Sequence, residues 1–201
     1  MINVEQIFQI KVTLFLIFVN FVYFVYEIKK VGFNPMVNGK ESPSSLVKCG
    51  AGCGIIDLTT QKYRLFTSMF MHASLNHIAS NMITLFIFGR ALEIRFGSIR
   101  YLVIYFITGL IGNIVSSFIH PKTVSVGASG AIFGVVGSLI ICALFTPHKT
   151  LVDFGYMVLT VGWNLYAGFS DSSIDMTAHI SGLIAGILFA LIFIILEGNF
   201  S

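Results

Sequence analysis

The sequence predicts an all-α fold, a polytopic membrane bundle of six transmembrane helices. Three observations predict it. Of 201 residues, 56% are hydrophobic and 10% are charged, with a mean hydropathy of +0.88, whereas a soluble domain carries about 25% charged residues. The apolar residues gather into long runs, and a spanning helix needs about 20 of them. Two later runs also carry Gly-x-x-x-Gly spacing, which lets membrane helices approach closely.

The first run, from Ile7 to Tyr26, is interrupted by Gln9, Lys11 and Asn20, and a lysine stem is long enough to carry its ammonium to the membrane surface. A secretory signal peptide is not expected here, because Glu5 stands where a basic segment would be and no small-residue cleavage site follows. One long loop, about 27–71, comes next. The second run extends from Leu75 to Ile94 and the third from Tyr101 to Phe118. The fourth begins at Ser129 and ends at Phe145, with Pro147 as its stop. The fifth, Leu151 to Leu165, is short and has Asp153 near its start, and the sixth runs from Ala178 to Leu196. The chain therefore divides into 1–45, the first helix and the start of the loop; 46–196, a core holding helices two to six; and a tail, 197–201. No tandem repeat or low-complexity tract is visible.

An even number of spans leaves both termini on one side. The loop after the first run holds Lys29, Lys30, Lys40, Lys48, Lys62 and Arg64, and the opposite side holds Lys11, Arg90, Arg95, Arg100 and Lys149. Counting positive charges therefore does not choose an orientation. A net charge of +3 on so little polar surface excludes a nucleic-acid binder. Cys49 and Cys53 flank a glycine-rich stretch and Cys142 lies inside the fourth run. No metal site is expected, since the loop offers no further ligand before His72. A Cys49–Cys53 disulfide would need an oxidising compartment; unpaired thiols are the simpler state.

Polar side chains inside spans are costly and mark candidate sites. His77 and Asn81 are four apart, on one face if helical, and they serve equally as hydrogen-bonding glue between helices. Ser129 sits in Gly127-Ala128-Ser129-Gly130, where glycine lets the backbone turn and approach a ligand just as a helix begins. The first amides and dipole of that helix favour an oxyanion. A serine hydroxyl needs a base to become a nucleophile, and the imidazole of His179 is of the right type. Gly130 and Gly134 on the fourth run, and Gly182 and Gly186 on the sixth, would line facing surfaces. If those faces meet, Ser129 and His179 sit at the same end of the contact. Ordinary glycine packing with a Ser and a His at its ends fits the same spacing.

These residues are similar to the motifs of rhomboid proteases, and the resemblance covers about residues 46–190. Arg64 to His72 resembles the end of the family's first loop, with Tyr63 where many members have Trp. His72, His77 and Asn81 follow the pattern H-x4-H-x3-N, and Glu93-Ile-Arg95-Phe-Gly97-Ser98 resembles E-x-R-x-G-S. Gly127 to Gly134 resembles the G-x-S-G segment, and Ala178-His179-Ile-Ser-Gly182 with Gly186 the A-H-x-x-G-x-x-x-G segment. The resemblance implies a six-helix core and an intramembrane serine endopeptidase acting on single-span membrane proteins within the lipid bilayer. It assigns Ser129 as nucleophile, His179 as general base and acid, and His77, Asn81 and the Ser129 amide to the oxyanion. No metal or organic cofactor is implied. His72 would be a structural loop residue, and Glu93 and Arg95 would tie the second helix to its loop. The termini would face the cytoplasm, or an equivalent organellar space, in a cell or organelle membrane. Phe133 stands where some members have Tyr, and Ser181 where Gly is common.

Two other classes stay in view. A non-proteolytic relative that binds membrane clients would usually lack the serine or histidine. A small transporter would carry ionisable residues near the bilayer midplane, whereas the polar groups here gather toward one side.

Overall fold

The structure, a computed structural model, describes residues 9–39, 41–146, 152–171 and 174–198. The expected helix start at Ile7, the stop at Pro147, the fifth start at Leu151, Lys40, Lys149 and tail residues 199–201 lie outside the described residues. Everything described is helix, turn or loop, apart from one antiparallel bridge pairing Gly52 with Ser125.

Helix α1 spans Lys11–Val31 and stops at Gly32, whose φ of 107° suits glycine. The long loop folds into short pieces: α2 (Phe33–Asn38), α3 (Pro43–Cys49), α4 (Ile55–Thr59), α5 (Arg64–Thr67) and a 3₁₀ turn at Ser68–Phe70. The second run starts at α6 (Leu75–Thr84), where the Ser74 hydroxyl caps the His77 amide at 3.1 Å. It then passes through a π turn at Leu85–Gly89 into α7 (Arg90–Phe96). Helix α8 spans Ser98–Ile119 and α9 Ser129–Phe145. Helix α10 runs Phe154–Ser170, later than the fifth run suggested, because Asp153 caps it by accepting from the Tyr156 amide at 3.1 Å. Helix α11 is Met176–Leu196, beginning two residues before Ala178 for the same reason, with Asp175 as its cap.

Among the described residues, three helices are long and apolar enough to cross a bilayer by length and composition: α1, α8 and α11. At 17 residues, α9 is shorter, about 26 Å of helix. It is buried nearly all round and forms the centre of the bundle, flanked by α8 and α11. Large apolar side chains such as Phe18, Leu159, Trp163, Ile184 and Leu188 point outward, the surface of a protein whose solvent is lipid.

Lipid gives no hydrophobic drive for one apolar helix to join another, so contact rests on close packing. Here it is backbone on backbone. A Cβ added at Gly182 would overlap the carbonyl oxygen of Gly130, and one at Gly186 that of Gly134. The Ser138 hydroxyl then bridges the two helices by donating to the carbonyl oxygens of Gly134 and Gly186, both at 2.9 Å.

At the end of the bundle that holds the start of α1, Glu93 reaches further than its own loop. Its carboxylate accepts from the Val12 and Thr13 amides at 3.0 and 2.8 Å, from the Thr13 hydroxyl at 2.8 Å and from Ser98 at 2.7 Å. It thereby satisfies the unpaired first amides of α1. Arg95 pairs with Glu197 past the end of α11 at 3.0 Å, and Arg100 binds the same carboxylate. Glu93 thus keeps a local tie, to Ser98 across the Gly97 turn, and adds a long-range one to α1, whereas Arg95 finds its partner 102 positions away. Cys49, Cys53 and Cys142 are all free thiols.

The glycine contact makes a signed prediction. Gly186→Ala forces a methyl into the Gly134 carbonyl and should lower stability by about 1–3 kcal/mol. Gly162→Ala in α10 meets nothing within 4 Å and should be neutral or stabilising by up to about 1 kcal/mol. Unfolding in detergent measures both, and equal midpoints would contradict the contact.

Candidate active site

Ser129 opens α9, which has no side-chain cap, so its first amides have no partner within the helix. The turn before it depends on Gly127, whose φ is 133° and whose N–H donates to the Ser68 carbonyl at 2.9 Å. A Cβ at Gly127 would stand 3.0 Å from His77 Nε2 and 3.4 Å from Ser129 Oγ. Glycine therefore leaves open the space onto which both side chains face.

His179 lies in the first turn of α11, 6% exposed, with Nδ1 buried and unpartnered. Its ring stacks on Phe133 of α9, with centroids 4.3 Å apart and planes 11° from parallel. A Cβ at Gly130 would meet the Ala178 carbonyl at 3.4 Å. Ser129 and His179 are thus chain neighbours of the two residues in contact. No hydrogen bond joins the two side chains among the described residues; such bonds commonly tighten only once substrate is bound.

His77 and Asn81 project from α6 toward the same region. The Ala73 amide donates to His77 Nδ1 at 3.4 Å, so the neutral ring carries its proton on Nε2, the nitrogen facing the Gly127 gap. Asn81 Nδ2 is buried without a partner. Asn81 lines, with Ser80, Thr84, Ser129, Phe133 and Asn164, a cavity of about 20 Å³, enough for about one water molecule. Residues of α6 and α10 thereby line one cavity with the nucleophile candidate.

His72 stands outside the helices, fully buried, with neither ring nitrogen partnered. It packs edge-on against His77 at 5.1 Å, and burial with the neighbouring imidazole holds it well below the usual histidine pKa. Its backbone N–H donates to the Glu27 carboxylate at 3.2 Å. Around it the loop is fixed by Arg64, which donates to the carbonyls of Val47 and Ala51 at 2.7 and 2.8 Å.

Sequence reasoning missed Glu27, which it left at the start of the loop. The signal available was Thr13, Asn20 and Glu27 at spacing seven, all fully buried on one face of α1. It also missed Thr160 and Asn164 of α10. Their polar atoms satisfy their own helix, donating to Tyr156 and Thr160 carbonyls at 2.9 and 2.8 Å, and nothing in their spacing points to a cavity. No group of His, Cys, Asp and Glu able to hold a metal occurs among the described residues.

Residues 59–196 match the family described as Rhomboid domain. The chain is 37% identical over 149 residues to rhomboid protease GluP of Bacillus subtilis (strain 168), covering 74% of this chain and 29% of that protein. It is 35% identical over 182 residues to RHOMBOID-like protein 6, mitochondrial, of Arabidopsis thaliana, covering 84% and 56%. It is 37% identical over 128 residues to putative rhomboid protease YdcA of Bacillus subtilis (strain 168), covering 63% and 64%. In each case the chain spans less than two thirds of the relative's length.

Proposed function

The chain belongs to the rhomboid family, and from that premise we propose that it is an intramembrane serine endopeptidase with Ser129 as nucleophile and His179 as base. The observation that carries the reading is the Gly130–Ala178 approach, which makes neighbours of a serine at an uncapped helix start and a buried histidine stacked on Phe133. Two relatives carry protease in their names, which supports the same chemistry.

In the proposed reaction the Ser129 hydroxyl attacks the scissile carbonyl carbon while its proton passes to the His179 imidazole. The oxyanion accepts hydrogen bonds from His77 Nε2, the Ser129 amide and Asn81 Nδ2, the last buried without a partner among the described residues. Collapse returns the proton to the leaving amine, and a water, entering by the polar end of the bundle, hydrolyses the acyl-enzyme through the same base. The chemistry proposed uses no metal or cofactor. The six spans of this multi-pass protein are α1, α6 with α7, α8, α9, α10 and α11, and the catalytic core is 46–196. Substrates are single-span membrane proteins in a cell or organelle membrane, cut near the end of their helix on the side of Ser129.

Incubation with a labelled single-span substrate tests the reading. Ser129→Ala and His179→Ala should each lower kcat by at least about 1,000-fold, with the double variant no worse than either. Retained cleavage by Ser129→Ala would refute the nucleophile; an inactive wild type that still bound the substrate would favour a client-binding protein.

His77→Ala and Asn81→Ala should each lower kcat by about 100- to 1,000-fold with little change in KM, because an oxyanion donor acts in the transition state. Unchanged kcat in both would return them to packing.

A helical peptide bond is shielded, so it must unwind before Ser129 can reach it, which is easier near Gly or Pro. Replacing helix-breaking residues downstream of the cut with Leu should slow initial rates with the bond itself unchanged. Equal rates would show that unwinding is not limiting.

A further inference from the structure

We propose that Asp175 is a positioning residue, holding the chain that leads to His179 against the chain that leads to Ser129. This rests on the Ser129–His179 reading above. Asp175 lies four residues before His179, and Ser125 lies four residues before Ser129. The two meet directly: Ser125 Oγ donates to Asp175 Oδ2 at 2.7 Å.

The same Oδ2 accepts from Ser116 Oγ, in the last turn of α8, at 2.6 Å. The other oxygen, Oδ1, accepts from the Ala178 amide at 2.9 Å. An N-cap needs only that last bond. The remaining two tie the entry of α11 to α8 and to the segment entering α9, and bonds to a carboxylate are the stronger kind.

Ser125 is itself anchored. Its amide and carbonyl pair with Gly52, at 3.1 and 2.9 Å, so Asp175 pulls against a fixed point of the long loop. Beside it, the His120 ring and the Thr177 hydroxyl are 2.8 Å apart across the same gap. Ala178, the residue whose amide Asp175 caps, is also the one whose carbonyl faces Gly130 and, at 2.9 Å from a Cβ position, Gly112. No hydrogen bond joins Asp175 to the His179 ring among the described residues, so its bonded connection runs through the backbone, and its charge reaches the imidazole only through space. Its effect is on reach, and small misplacement of reacting groups is costly.

The test separates the cap from the bridge. Asp175→Ser keeps the cap, since serine is a good N-cap, but is too short to reach both serines. We expect kcat, and the rate at which a fluorophosphonate modifies Ser129, to fall by about 10- to 100-fold, with KM and the unfolding midpoint close to wild type. Asp175→Asn, whose amide can donate to both serine oxygens, should recover most of the rate. The Asp175→Ser/Ser125→Ala pair should be no slower than Asp175→Ser alone, because both remove one connection. Wild-type rates in Asp175→Ser, losses that multiply in the pair, or a lowered midpoint that tracks the lost activity would each overturn the proposal. Failure of the underlying reading looks different: the wild type would then not be labelled at Ser129, or Ser129→Ala would still cut.

Discussion

The contact on which the rest depends is the approach of α9 to α11, two backbones separated by no side chain. Gly182 rests on Gly130, Gly186 on Gly134, and Gly137 on the Leu183 carbonyl. In lipid there is no gain from hiding apolar surface in more apolar surface, so shape and dispersion decide which helices associate. Five glycines along one seam, with no side chains to intervene, bring the helix axes close. It also brings Ser129 and His179, at the seam's end, into one neighbourhood that longer side chains would have held apart. The central position of α9, buried on every side, follows from the same seam together with Thr108 and Gly109 of α8.

A second constraint concerns polar groups. The buried carboxylates are fastened to backbone N–H groups, Glu93 at the start of α1, Glu27 at His72 and Asp57 at Cys53, as is the half-buried Asp175 at the start of α11. A charge away from water is costly unless it accepts several hydrogen bonds, and unpaired first amides of a helix need an acceptor. Each need satisfies the other. The fasteners sit at the two ends of the bundle and leave the middle to apolar packing. In Asp57, burial still raises the carboxyl above its usual pKa despite the Cys53 amide and Ser117 hydroxyl it accepts from.

Against this background the unpartnered groups near Ser129 stand out. Asn81 Nδ2, both nitrogens of His72 and His179 Nδ1 are buried without protein partners, as are atoms of Asn20, Glu41, Arg90, Arg95, Tyr101 and Tyr105 elsewhere in the fold. Of these, Asn81 lines the cavity that also includes Ser129.

Much of this was legible in the sequence, because transfer into lipid is a property of each residue by itself. Apolar runs reveal helices without any partner being known; of the boundaries missed, the starts of α10 and α11 were set by Asp153 and Asp175 as caps, while α1 runs past Tyr26 to Val31 and α8 begins at Ser98 before Tyr101. Glycine spacing, the Ser129 turn and the His77–Asn81 pair are local patterns and were equally readable, as was the resemblance built on them. Tertiary structure alone decided which carbonyl each glycine meets and that Glu93 caps a helix 80 residues earlier. It alone joined Asp175 to Ser125. Such facts are distances between segments remote in the chain, and distance across a fold has no signature in either segment taken by itself.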